Sequence, residues 1–537
     1  MSVVLDDEAE LYRGLLVALE QKSDLVVFAH HDLSFDLDSA RVLPFSDFPG
    51  LRRLLLNCPA PSLFLDLRCA TAAQQLAMWR MAYFHVRVRG AYVHTSPTTA
   101  ALPSWSEAVA LTASKQKPTG EAFNELSAST RWVRTIQLLG QDAVAYKKAR
   151  RHLYQVHDRD AATLVPHREP SLKLDLLSSV PAETVASKAM VRHHGATEEV
   201  GDFGFAETFE VPELHCWHYR GEVTLDSHML AYCGTTALPA SFRFPARTRL
   251  ENPRLKRFGD GNWARLAPNV RQPKVTLEGD YFDVNGGYPS MFGHVMTQSI
   301  HKLWGWDDAK RQLPDLKALA FIRNGKASTV ERTLLNAYGI ADEDIRFISE
   351  PVHLESYVSP TNIWGYAQPF YASSLAPDIW RRIGRGLGVT EVTPRDKIFV
   401  SRHDSVSAHR FCRNARDVDE VFRQHGFTVV YPEEHSLAEQ AQLFAKARVV
   451  AGFGGSAMFN MMYGAPENVI VLNHDGYRVR NEHLFTALLG CTVDYFWSKA
   501  DVPHPVGGYS KEAFISAWEF DFERNGQELT ELLESLA

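Results

Sequence analysis

Between Asp396 and Asn473 four short apolar runs, DKIFVSR, FTVVYP, RVVAGFG and NVIVLN, alternate with segments whose apolar residues recur at helical spacing. In DVDEVFRQHG, Val418, Val421 and Phe422 share one helical face and Gly426 supplies the stop. The runs are continuously apolar, as strands covered on both faces must be. Strand and helix in strict alternation then give a parallel, doubly wound Rossmann-like sheet. This domain is expected over 386–537. The middle of the chain is less regular. Strand-like pieces between Glu213 and Gly234 precede a glycine-rich loop entering a helix, GGYPSMFGHVMTQSIHKLWGW. The strand LKALAFIRNG, the helix VERTLLNAYGI and the strand DIRFIS follow, a second α/β unit over 175–385. Residues 1–174 form a third α/β region, with SLFLDL a strand, AAQQLAMWRMAYF a helix and VRGAYVHT a strand. A chain of 537 residues accommodates three such units.

Composition removes several classes of function. The formal net charge of −7 exerts no pull toward nucleic acid or anionic lipid. The basic stretch KKARRH (Lys147–His152) reads as a solvated helix face. Six scattered cysteines without a C-x-x-C pair argue against a zinc ribbon or redox motif and fit a reducing compartment. The acidic, amphipathic start MSVVLDDEAELYRGLL is unlike a secretory signal, and no apolar run reaches the ~18 residues of a membrane span. The expected location is the cytoplasm, with peripheral association at the inner face of the membrane left open.

Ligands of an open α/β sheet bind beyond the carboxyl ends of its strands. There DKIFVSR delivers Ser401 and Arg402, and RVVAGFG delivers Gly454 and Gly455, with Ser456 as an expected N-cap. A glycine turn at a helix N-terminus cradles phosphate; it is also an ordinary tight strand-to-helix turn. A guanidinium beside it suits a pyrophosphate, with a surface ion pair to Asp404 or Glu434 as the alternative for Arg402. SLAE forms a capping box of Ser436 and Glu439, which explains both residues as well as a ribose contact for Glu439 would. His294, beside Gly293 at a helix start, has the chemistry of a general base on a hydroxyl, losing activity near pH ~6.5 in an ordinary setting. The alternative is a half-buried histidine bonded to backbone. Asp283 and Glu278 are the next carboxylates to consider. Trp304 and Trp306 are read as packing residues.

These stretches resemble a known family. VSRHD (Val400–Asp404), GFTVVYPEEHSLAEQAQLFAKARVVAGFGGSAMFN (Gly426–Asn460) and GHVMTQSIHKLW (Gly293–Trp304) are similar to the ordered motifs of family 61 glycosyltransferases. ALPASFRFP (Ala237–Pro245) resembles a segment preceding that family's domain. The resemblance covers roughly 210–500. It implies a GT-B pair of Rossmann-like domains facing across a cleft, and an inverting transferase with a nucleotide sugar as co-substrate and no metal or other cofactor. It implies that Arg402 and the Gly454–Ala457 turn (Gly454, Gly455, Ser456, Ala457) hold the donor diphosphate beside Ser401. Asn460 and Glu439 would lie near the nucleotide, and His294 would face the cleft as base. Two positions depart from the pattern: Gly454 stands where the family has histidine, and Gln298 where an acidic residue is frequent. The implied activity is transfer of a hexose or pentose to a glycan acceptor, such as a capsule or cell-wall polymer. The rivals are a polysaccharide pyruvyl transferase on the same scaffold and an inactive glycan-binding or assembly protein.

The N-terminal stretch SLFLDLRCATAAQQLAMWRMAYFHVRVRGAYVHT resembles the second half of a methyltransferase-type Rossmann domain. No glycine-rich cofactor loop precedes it, so a degenerate docking domain is expected. Calorimetric titration of the protein with S-adenosylmethionine should give no saturable heat; saturable binding would overturn that reading.

Overall fold

The computed structural model describes residues 1–5, 9–68, 72–95, 133–139, 143–148, 151–196, 207–258, 262–322, 329–391, 393–403 and 409–536. Its N-terminal sheet contains β1 (Ser2–Leu5), β2 (Val26–Ala29), β3 (Arg41–Pro44), β4 (Leu63–Asp66), β5 (Ala91–Thr95), β6 (Val133–Leu139) and β7 (Ala143–Lys148), in the order 3-2-1-4-5-7-6. Strand β7 runs antiparallel to both its neighbours, while β1 to β5 are mutually parallel. This is a Rossmann-like sheet, parallel over its first five strands and reversed at β7. Val3, Val4, Leu5, Val27 and Phe28 are buried, as continuously apolar central strands require.

The basic stretch at Lys147 is not a solvated helix face. Lys147 and Lys148 end a strand, where successive side chains take opposite faces: Lys147 is exposed and Lys148 buried. The Lys148 ammonium donates to the carbonyls of Phe84 and Val86. Burial holds its pKa well below the ordinary lysine value.

The central sheet is mixed. Leu214–Leu225 pairs antiparallel with Val352–Pro360 and with Lys173–Val180. On the other side Val352–Pro360, Thr276–Asp283, Lys317–Phe321 and Ile345–Ile348 are parallel. The helix–strand alternation of 317–348 is therefore as read, but this sheet is doubly wound on one half only. Leu153–Gln155 also joins it, so it draws strands from before residue 175.

The C-terminal sheet is wholly parallel, in the order Thr428–Val430, Asp396–Val400, Ala447–Phe453, Asn468–His474, Thr492–Ser498. The chain leaves Asp396–Val400 to one side and returns on the other. The topological switch point, where such sheets bind ligands, thus lies between the ends of Asp396–Val400 and Ala447–Phe453. A sixth strand, Met190–His194, arrives from far upstream and pairs parallel with Thr492–Ser498. It is pinned by Asp494, whose buried carboxylate accepts from Arg192 at 2.7 and 2.6 Å and from His194 at 2.8 Å.

Central and C-terminal units share one apolar core. Val400, Val450, Met458 and Phe459 of one pack in the same cluster as Val295, Trp364 and Trp380 of the other. Trp364 donates its indole N–H to Asn481 Oδ1 at 3.0 Å, across the junction. The five cysteines among the described residues are free and buried. No helix among the described residues is long and apolar enough to cross a membrane.

The Asp494 cluster gives the seam a definite pH response. Its hydrogen bond to Asp494 raises the His194 pKa, burial opposing. Burial would raise Asp494, but the bonds from His194 and Arg192 outweigh it and hold the carboxyl low. Stability from a raised histidine is complete below about pH 6.5 and fades as pH rises through its folded pKa. Stability from a depressed carboxylate is present above about pH 3.9 and fades as pH falls through the folded value. Hydrogen exchange at Val191–His193, corrected for intrinsic rates, should be slowest between those limits. Asp494→Ala should destabilise the protein by about 2–3 kcal/mol, the range for bonds to charged groups.

Candidate functional site

The switch point brings Arg402 and the glycine turn together. The Arg402 Nη2 donates to the Gly454 carbonyl at 2.8 Å. A β-carbon at Gly455 would lie 2.2 Å from that same nitrogen and 3.3 Å from Nη2 of Arg410. Gly455 has φ +146°, a region favouring glycine. Two guanidiniums therefore lie against bare backbone. Burial first, then the neighbouring Arg410, pushes Arg402 down to about 10. Arg410 sits over the Tyr477 ring, 4.4 Å from its centroid. Neither arginine has a carboxylate within ion-pair distance among the described residues. Glu434, one alternative partner for Arg402, binds His403 Nε2 at 2.6 Å; the other, Asp404, lies outside the described residues.

The turn differs in detail from a cradle of glycine amides. Its helix, Ser456–Tyr463, is 3₁₀, and Gly455, not Ser456, occupies the N-cap. The Gly454 amide donates to Leu472 O at 2.9 Å and the Gly455 amide to Glu482 Oε1 at 2.6 Å. This leaves the amides of Ser456 and Ala457 as the turn's open donors. Glu482 is buried, and burial raises its pKa against the opposing pull of Arg410, the Gly455 amide and Arg402. It is an internal carboxylate on an amide that a phosphate would otherwise use.

Other expected residues separate from the cleft. Asn460 is buried and donates to Gln440 Oε1 at 2.9 Å and to Ala457 O at 3.2 Å, fastening the 3₁₀ helix to Leu437–Lys446. Ser401 is fully buried. Glu439 closes the capping box: its Oε2 accepts from Ser436 N at 2.7 Å and Ser436 Oγ at 2.8 Å. Asp283 is fully buried against Lys302 Nζ at 2.5 Å, which removes it as a cleft base; Glu278 is exposed on the same strand.

His294 does reach the turn. A β-carbon on Gly293 would lie 2.9 Å from Ser456 Cβ and 3.6 Å from Phe459, so the histidine's helix start seats directly on the glycine turn of the other unit. The helical rod beyond widens to a π turn over Val295–Ser299, then tightens to 3₁₀ over Ile300–Gly305. His294 Nδ1 faces two donors, Arg243 Nη2 at 3.1 Å and Gln298 Nε2 at 3.2 Å. Burial first, then Arg243, pushes the ring down to about 3, so it stays neutral across the working pH range. The expected acid limb near pH 6.5 therefore does not come from this residue. Arg243 lies among Tyr366, Phe244 and Tyr288, 4.8, 5.2 and 5.5 Å from their centroids. Arg243, Arg410, Tyr477 and Glu482 escaped the reading by pattern. They come from three separate stretches, and only ALPASFRFP, which contains Arg243, carried a signal.

Two α/β units thus meet at a Rossmann-like switch point where, among the described residues, two guanidiniums lie against bare backbone with no carboxylate in ion-pair distance. Residues 292–471 match the family described as Glycosyltransferase 61. The match spans His294, Arg402 and the glycine turn, and supports a glycosyltransferase. No curated protein matches the chain. Among solved structures, the MycE methyltransferase from the mycinamycin biosynthetic pathway, in complex with Mg and SAH, aligns at 15% identity and a TM-score of 0.23. That alignment covers 28% of this chain and 41% of that one. A second MycE structure, with Mg, SAH and mycinamycin VI, aligns at 14% identity and a TM-score of 0.23, covering 28% and 44%. The chain therefore spans less than half the length of these neighbours.

Gly455→Ala should drive Arg402 off the Gly454 carbonyl and weaken binding of inorganic pyrophosphate measured by calorimetry. Gly279→Ala is the control: φ there is +95°, but nothing lies within 4 Å of the added carbon. Both variants should lose about 1–3 kcal/mol from backbone strain; only Gly455→Ala should lose pyrophosphate. Equal affinity in the two would separate the turn from anion binding.

Proposed function

We propose that this chain is an inverting glycosyltransferase of GT-B arrangement that moves a hexose or pentose from a nucleotide sugar to a glycan acceptor in surface polysaccharide synthesis, at the cytoplasmic side. The observation that carries the reading is the pair Arg402 and Arg410, without carboxylate partners among the described residues, beside the glycine turn at the switch point of the family-61 segment. In the transfer, the bond from sugar C1 to the phosphate oxygen breaks and its electron pair leaves with the nucleoside diphosphate. The acceptor hydroxyl oxygen bonds C1 from the opposite face. Its proton passes to water on the acceptor's side of the ring, because the departing phosphate lies on the opposite face and cannot take it directly. The cations act where negative charge grows, in a part-dry cleft where such stabilisation is strongest. The donor is a co-substrate, and the reading invokes no other cofactor or metal.

A non-catalytic glycan-binding protein draws on one observation, the internal Glu482 carboxylate on the Gly455 amide. A panel of nucleotide sugars separates the two. A true donor at ~100 times its dissociation constant adds roughly 2.7 kcal/mol of stability. Stabilisation by a glycan but by no nucleotide sugar would favour the binder.

Arg402→Ala should weaken donor binding by about 10- to 100-fold, the worth of one or two charge-assisted bonds. Arg402→Lys should restore only part, because an ammonium lacks the planar fork. Unchanged donor affinity in both folded variants would make Arg402 structural.

A further inference from the structure

The His294 ring is held by groups that leave no choice about where its proton sits. A guanidinium has five N–H donors and no acceptor, so Arg243 Nη2 at 3.1 Å can only donate to Nδ1. The Gln298 amide is oriented independently: its Oε1 accepts the backbone N–H of Gly287 at 2.6 Å. Its Nε2 therefore faces outward, toward Nδ1 of His294 at 3.2 Å and the hydroxyl of Tyr366 at 2.9 Å. Gly286 and Gly287 make this possible, because a β-carbon on either would crowd Gln298 Oε1, at 3.2 and 3.4 Å. With Nδ1 accepting from two donors, a neutral ring carries its proton on Nε2. That nitrogen has no partner among the described residues and is not among the buried unsatisfied atoms, so it meets solvent in the cleft.

We propose that Arg243 and Gln298 are positioning residues that fix His294 as an Nε2–H donor to a phosphate oxygen of the leaving nucleoside diphosphate, and not as the base for the acceptor. The diphosphate rests on the glycosyltransferase reading; the fixed tautomer does not. The groups facing the ring are Arg243 and Gln298 at Nδ1, Tyr288 with its centroid 4.7 Å away, and the Ser456 turn across Gly293. None is a carboxylate, so nothing near the ring favours a proton on Nδ1. Among the described residues Arg243 has no acidic partner either, and its Nε is buried without one. A neutral imidazole in such a place polarises a developing anion through its N–H, as oxyanion donors do.

The test has two arms. In the first, ring ¹⁵N shifts of His-labelled protein, assigned with His294→Gln, are followed between pH 5 and 8. The expected spectrum has Nδ1 as an unprotonated acceptor and Nε2 protonated throughout. In Arg243→Met/Gln298→Glu, a carboxylate faces Nδ1 and no guanidinium does. The proton should move to Nδ1 and the ring should titrate at higher pH. Wild-type protonation at Nδ1, or an unmoved tautomer in the folded double variant, overturns the proposal; a merely structural pair would not move the ring's proton. In the second arm, UDP, GDP and ADP are titrated into the wild type, His294→Ala and His294→Gln. Affinity for the diphosphate that binds should fall about 10-fold in His294→Ala and be largely kept in His294→Gln, whose amide N–H replaces Nε2–H. Equal affinity in all three removes the donor role. If none of the three binds wild type, the glycosyltransferase reading loses its support, and the first arm still decides the tautomer.

Discussion

A methyl group at position 455 would lie 2.2 Å from the guanidinium of Arg402, and the rest of the cleft depends on its absence. Bare backbone lets Arg402 reach the Gly454 carbonyl and lets Arg410 stand beside it on Tyr477. Two like charges this close repel. The buried Glu482 accepts the Gly455 amide without occupying either guanidinium's hydrogen-bonding face. The outcome is a pair of guanidiniums with no carboxylate in ion-pair distance among the described residues, a state that favours an incoming anion.

The second constraint is the seat of Gly293 on Ser456. It places His294, from the central unit, against the turn of the C-terminal unit, where a side chain on residue 293 would force the two apart. The shared apolar cluster around Trp364, Trp380 and Phe459 reinforces that contact. Buried apolar packing of this kind resists domain separation, because opening would expose large aromatic surface to water.

Much of the fold was legible in the chain. Continuous apolar runs with helices between them announced the parallel C-terminal sheet, and a capping box announced the start of Leu437–Lys446. Parallel pairing then placed Ser401, Arg402 and the glycines at one edge. Misreadings arose where one local pattern serves two environments. KKARRH looks solvated, yet strand alternation turns Lys148 inward onto carbonyls. Ser456 has the chemistry of an N-cap, but the positive φ of Gly455 gives that glycine the cap. Asn460 sits in the expected motif, yet its side chain is spent inside on Gln440. Met190–His194 looks like part of the middle region and completes a sheet built some 300 residues later.

The chain's own order determined that the C-terminal strands run parallel and so bring their carboxyl ends to one edge, because strand–helix alternation follows from hydrophobic periodicity; the strand order that sets the switch point is tertiary. Only the tertiary structure decided what the convergent groups can do. The proton position on His294 depends on Arg243, 51 residues away, and on Gln298, whose amide is turned by the Gly287 N–H. Charge and tautomer are set by neighbours in space through bonds a few ångströms long. Sequence spacing carries no record of those bonds.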